Sequence, residues 1–225
     1  LVCEDNPASQ RVVAELLRLE GARVLLADDG AQGLALLQTE PEAFEAVLMD
    51  LQMPVLDGLE ATRRLRRAGL RLPVIGMSAN ASAADRQACL NAGLDDLIAK
   101  PFELEQLVAT LRRWTGRAAT LPSRMPPADA DAGPTDPDDP VHALALAAGV
   151  NLGTALARLG GQRAVYSRCL DGFLADTREP RALDARRLHS LQGNAATLGA
   201  QVLADELQAL GGASARPSAE LQAHA

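Results

Sequence analysis

Residues 46–58 read AVLMDLQMPVLDG. Four apolar residues run into a carboxylate, turn formers follow, and Gly58 opens a stretch with helical spacing. A short run that is apolar on both faces is what a strand buried in a parallel sheet requires. The same unit recurs on either side. LVC (1–3), RVLLA (23–27), PVIGM (73–77) and DLIA (96–99) are further candidate strands, each followed by an amphipathic stretch. Asn6 can cap and Pro7 can start a helix running through Val13, Leu16 and Leu17 to Gly21. Further helices are expected at about 30–39, 58–69, 82–92 and 103–115. Five strand-then-helix units predict an α/β doubly wound, five-stranded parallel sheet with helices on both faces. Ligands of such sheets sit beyond the carboxyl ends of the strands. The first strand has only three residues, so further residues are expected ahead of Leu1.

Charge and proline divide the 225 residues into three. Residues 1–116 carry 12 basic and 17 acidic side chains; residues 117–140 carry 2 and 5, with six of the 13 prolines; residues 141–225 carry 8 and 7. The middle stretch, LPSRMPPADADAGPTDPDDP, reads as an acidic, semi-extended linker. It predicts two domains that move independently. The last part is Ala- and Leu-rich with helical spacing and no strand pattern: NLGTALARLGG, QRAVYSRCLDGFLADTRE, and a long run from about Leu183 to Leu210. An all-α helical bundle is the expectation there. A net charge of −7 argues against a general nucleic-acid binder, and no apolar run reaches the length of a membrane span. Cys3, Cys89 and Cys169 are far apart and odd in number, as reduced cytosolic thiols are. A cytoplasmic location with no direct membrane contact is expected.

Chemistry concentrates at the strand ends. Glu4 and Asp5 follow the first strand, Asp50 ends the third, Ser78 follows the fourth and Lys100 the fifth. In the order 2-1-3-4-5 the first and third strands are neighbours, so three carboxylates converge on one rim. Their repulsion is relieved by a hard divalent cation, Mg²⁺ or Mn²⁺. Of the 22 basic residues Lys100 alone is lysine, which marks a place where a compact ammonium does what a planar guanidinium does not. A metal, an ammonium and a hydroxyl around one carboxylate make an electrostatic cradle for a phosphoryl group. Taken singly, each residue has an ordinary explanation: a solvated turn, a helix cap, a turn former.

Residues 1–116 resemble the receiver domain of two-component response regulators, with its flavodoxin-like fold. The resemblance rests on EDN (4–6), MDLQMPVLDG (49–58), MSA (77–79) and AKP (99–101), in order and suitably spaced. It implies that Asp50 is the phospho-acceptor and that Asp5, Asp50 and the Gln52 carbonyl are metal ligands. It further implies that Glu4 holds metal-bound water, that Ser78 bonds the phosphoryl oxygen, that Lys100 pairs with the acyl phosphate, and that Lys100–Pro101 is cis. Leu97 departs from the family, which often has Tyr or Phe three residues before the lysine as a rotamer switch. A phosphohydrolase built on a strand-end aspartate wants a second Asp two residues on, where this chain has Gln52, and neither common glycine-rich nucleotide-binding motif is present.

Of three histidines, His142 borders the linker and His224 is next to last. His189 sits in RRLHSLQGNAATLGA, about 100° off a predicted core stripe of Leu188, Leu191, Ala195, Leu198 and Val202. It is expected at the edge of the buried face, with Gly193 one turn on leaving open space beside the imidazole. HSLQGNAATLGA and FLAD (173–176) resemble the histidine-containing phosphotransfer domain. That resemblance implies that His189 accepts the phosphoryl group. Gln192 stands where the family usually has Lys, with Arg186 or Arg187 as substitutes, and only 14 residues separate Leu174 from His189. The family spacing is longer, so the hairpin is short or residues are missing between them.

Together the resemblances imply the receiver and phosphotransfer portion of a bacterial hybrid sensor histidine kinase. Phosphoryl groups would pass from a kinase dimerisation and phosphotransfer domain to Asp50, to His189, and to a downstream response regulator receiver. No ATP-binding kinase domain lies in these residues. The competing expectation is a receiver that binds partners without being phosphorylated, which Leu97 favours and Asp50, Ser78 and Lys100 oppose.

Overall fold

The computed structural model describes residues 1–79, 82–116, 145–178 and 182–214. The sheet runs β1 (Val2–Cys3), β2 (Leu26–Ala27), β3 (Val47–Asp50), β4 (Val74–Ser78) and β5 (Asp96–Ala99). All its pairings are parallel, in the order β2-β1-β3-β4-β5, as expected. Between and after the strands lie α1 (Pro7–Leu19), α2 (Gly30–Thr39), α3 (Gly58–Arg67), α4 (Ala83–Ala92) and α5 (Leu104–Thr115). Side-chain caps start four of them: Asn6, Asp29, Asp57 and Ser82 each accept a backbone N–H of the first turn. Gly93 and Gly116 end α4 and α5 in the left-handed conformation.

Strand periodicity sorts the core into two layers. Val47 and Met49 of β3 pack with Cys3, Leu65, Cys89 and Leu97 on the α2–α3–α4 side. Leu48 packs with Val2, Val13, Ile75, Ile98 and Leu107 on the α1–α5 side. Both layers are essentially dry, so the carboxyl ends of β1, β3, β4 and β5 are held on a rigid base.

Beyond the sheet the described chain is helical: α6 (Leu152–Arg158), α7 (Arg163–Arg178), α8 (Ala185–Thr197) and α9 (Gln201–Ser214). The expected single run from Leu183 to Leu210 is two helices. Gly199, at φ +79°, breaks it, and its backbone sits against the Asn151 carbonyl. Leu188, Leu191, Ala195 and Leu198 are buried as the stripe requires, but Val202 lies past the break and is 64% exposed. The connection between α7 and α8 is short, running from Arg178 to Ala185.

Beside the expectation of two independently moving domains, the structure has a contact between the two parts. The linker at 117–140 lies outside the described residues, but α7 lies directly on α1. Leu16 and Leu104 of the α/β part share a buried cluster with Leu159, Val165, Cys169 and Leu198. Arg168 of α7 pairs with Glu15 of α1 through Nε and Nη2, at 2.8 and 2.7 Å. Leu16 lies on the side of α1 away from the sheet core, where it meets the helical part.

Candidate functional site

Three backbone contacts draw the strand ends together. Leu51 N–H donates to the Met77 carbonyl at 3.1 Å, Gly58 N–H to the Leu51 carbonyl at 3.2 Å, and Lys100 N–H to the Ser78 carbonyl at 2.6 Å. The Lys100–Pro101 peptide is cis. The loop after Glu4 is fixed by Gln10 of α1, whose amide donates to the Glu4 carbonyl at 2.6 Å and to Asp28 Oδ1 at 2.8 Å.

On this base Glu4, Asp5 and Asp50 place oxygen atoms within 4.8 Å of one another. Glu4 and Asp50 are almost fully buried and Asp5 is half-buried. Lys100 bridges the two deeper ones, donating from Nζ to Glu4 Oε2 at 2.6 Å and to Asp50 Oδ2 at 2.7 Å. The other oxygen of Asp50, Oδ1, accepts the Gln52 backbone N–H at 3.0 Å. Ser78 is buried at the end of β4, next to β5 and Lys100.

Burial, opposed by the Lys100 ammonium and reinforced by Asp50, pushes the Glu4 carboxyl up to about 7. Burial alone would lower the Lys100 ammonium, but Glu4 and Asp50 hold it above its ordinary value. Lys100 contacts two of the three clustered carboxylates, and Asp5 completes the acidic group. Hard oxygen donors in that state suit a divalent cation, so the residues fit Mg²⁺ or Mn²⁺.

His189 comes to the same place. It lines one cavity of about 230 Å³ with Asp5, Asp50, Gln52, Lys100 and Gly193. Burial lowers its pKa, with Asp50 raising it and Lys100 lowering it. A Cβ built on Gly193 meets nothing within 4 Å, so the space expected beside the imidazole is there. Of the two arginines considered as substitutes at Gln192, Arg187 instead reaches the Asp176 carbonyl with Nη2 at 2.7 Å. The side chain of Arg186, like His142 and His224, lies outside the described residues.

Leu97 is 5% exposed and packs in the core layer next to α4. The residues that sequence reading missed are those joining the two halves. Asn6 was legible as a cap of α1, but its amide also donates to Ser190 Oγ. Asn194 accepts from Ser9 Oγ at 3.1 Å. No local pattern announces a contact between residues 184 or 185 positions apart.

Residues 1–112 match the response regulator receiver domain family. Over 123 residues the chain is 40% identical to the sensor histidine kinase GacS of Pseudomonas protegens, covering 52% of this chain and 13% of that protein. Over 117 residues it is 39% identical to the sensor histidine kinase RcsC of Salmonella typhi, covering 52% of this chain and 12% of that one. Among solved structures, the receiver domain of sensor histidine kinase PA1611 from Pseudomonas aeruginosa PAO1 is 44% identical, with a TM-score of 0.47. That match covers 51% of this chain and 94% of the other, and the structure has a magnesium ion coordinated in the active site cleft. Residues beyond 112 lie outside the family match. Residues 1–112 are thus a response regulator receiver domain, homologous to the receiver domains of hybrid sensor kinases.

Proposed function

We propose that this chain is a two-step phosphorelay module, in which Asp50 takes a phosphoryl group from a kinase phosphohistidine and His189 exchanges it onward. The supporting observation is that His189, from the helical part, and Asp50 with Lys100, from the receiver, line a single cavity. In this reading 1–116 is the receiver, 117–140 the tether and 141–225 a phosphotransfer bundle. The outside partners are a histidine kinase dimerisation domain and a downstream receiver. The site is read as cytoplasmic; among the described residues no helix is long and apolar enough to cross a membrane.

In the first step an Asp50 carboxylate oxygen forms a P–O bond as the N–P bond of the donor breaks, its electron pair returning to the donor imidazole. Lys100 lies on Asp50 Oδ2 and neutralises charge on the phosphoryl oxygens, while the Gln52 N–H holds Oδ1. In this reading Ser78 bonds a phosphoryl oxygen. A divalent cation held by Asp5, Asp50 and the Gln52 carbonyl, with Glu4 beside them, would offset the remaining negative charge of the phosphoryl group. In the second step the lone pair of an unprotonated His189 nitrogen attacks phosphorus, and the P–O electron pair returns to Asp50. Burial favours the neutral imidazole that this attack requires.

The test is intact-mass measurement after incubation with Mg²⁺ and a small acyl phosphate. One phosphoryl group is expected on the receiver; an unmodified chain would favour the interaction-module reading that Leu97 suggests. Lys100→Arg should slow uptake by at least about tenfold although charge is kept. The Lys100 side chain is 13% exposed between two carboxylates, and a guanidinium fork cannot place one nitrogen where both oxygens converge. Uptake at the unsubstituted rate would remove Lys100 from the site.

A further inference from the structure

We propose that Ser190 and Asn194 are positioning residues that key α8 onto α1 in the one register presenting His189 to Asp50 of the same chain. The proposal rests on the relay reading and adds how the two halves find each other.

Ser190 and Asn194 are four residues apart on α8, so they share a face, and His189 is the immediate neighbour of Ser190. Their partners begin α1. The Asn6 amide donates to Ser190 Oγ, and Asn194 Nδ2 donates to Asn6 Oδ1 at 3.4 Å. Ser9 Oγ donates to Asn194 Oδ1 at 3.1 Å. Its two amides are buried, Asn6 and Asn194 each being 8% exposed, and the two serines are half-buried. Asn6 also ties the group to the site, since its backbone N–H donates to Glu4 Oε1 at 3.3 Å and its side chain caps α1 through Ser9 N–H at 2.7 Å.

Two kinds of contact hold α7 and α8 on the receiver, and they do different work. The apolar cluster around Leu16 and Leu159 is non-directional and tolerates sliding. The polar pairs do not. A slip of one residue along α8 turns His189 by about 100° and shifts it by about 1.5 Å, out of line with the Asp50 oxygens. The same slip strands buried amide groups without partners, so wrong registers are disfavoured more than they would be by a purely apolar face.

Transfer within one chain should then be first order and independent of protein concentration. The full chain is loaded at Asp50 with Mg²⁺ and acetyl phosphate, the donor is removed, and passage to His189 is followed as conversion of base-labile to base-stable, acid-labile phosphate. Asn194→Ala, and separately Ser9→Ala on the receiver side, should lower that rate about tenfold. Asp50 uptake by the Ser9 variant should stay as in the unsubstituted chain. Mixing Asp50→Asn with His189→Gln chains should give slow transfer proportional to concentration. The keying role is overturned if both variants transfer at the original rate, or if transfer in the unsubstituted chain scales with concentration. If Asp50 loads but no base-stable phosphate forms even in the unsubstituted chain, the relay reading itself falls, and the keying role with it.

Discussion

Asp50→Asn should abolish uptake of a phosphoryl group from a small acyl phosphate, and excess EDTA should abolish it in the unsubstituted chain. An amide has neither the anionic oxygen that attacks phosphorus nor the ability to leave with the electron pair, so loss should be complete. The fold should survive. Lys100 keeps Glu4 Oε2 at 2.6 Å, and removing one of three clustered charges relieves repulsion. Glu4, whose carboxyl is pushed up to about 7 by burial and then in part by Asp50, should shift back toward the ordinary range. Intact mass and a thermal melt check both halves. A phosphorylated Asp50→Asn chain with its normal melt would move the acceptor elsewhere; uptake unchanged in EDTA would remove the divalent cation.

What the sequence made legible here was what local rules control. The strand order follows from five buried runs joined by helices, and the carboxylate rim follows from the order, because neighbouring parallel strands end together. Lys100 could be singled out because an arginine-rich chain had spared one lysine. The break at Gly199 was written in the sequence and passed over: a glycine inside an apparent run is a stop when its φ is positive. Docking of α7 and α8 on α1 was not legible. Leu16 reads as one more core residue of an amphipathic helix, and Asn6 as a cap with its hydrogen bonds already assigned. Only in three dimensions does one side of α1 serve the sheet while another carries the helical part, and composition does not encode that division.

Gly58→Ala should destabilise the receiver by about 3 kcal/mol, at the upper end of what forced overpacking costs. On helix propensity alone the opposite is expected, because Gly58 opens α3 and alanine is favoured over glycine by about 1 kcal/mol within a helix. Close approach decides the sign. A Cβ at Gly58 would lie 2.2 Å from the Asp50 carbonyl oxygen and 2.9 Å from Met49 Cγ. The first is backbone at the end of β3, fixed by its pairing with β4, so it cannot swing aside as a side-chain tip would. Relief must come from moving α3 away or from displacing Asp50. Either loosens the Gly58 N–H to Leu51 carbonyl bond that shapes the loop carrying Gln52. The melting temperature should therefore fall by roughly 10 °C or more, and acyl phosphate uptake should fall with it. Gly193→Ala is the internal comparison. Gly193 is also in a helix, and nothing lies within 4 Å of its added Cβ, so the same substitution should stabilise by up to about 1 kcal/mol. Opposite signs for one chemical change at two helical glycines separate backbone proximity from propensity; a stabilised Gly58→Ala chain would show that α3 is not pressed against the strand that ends in Asp50.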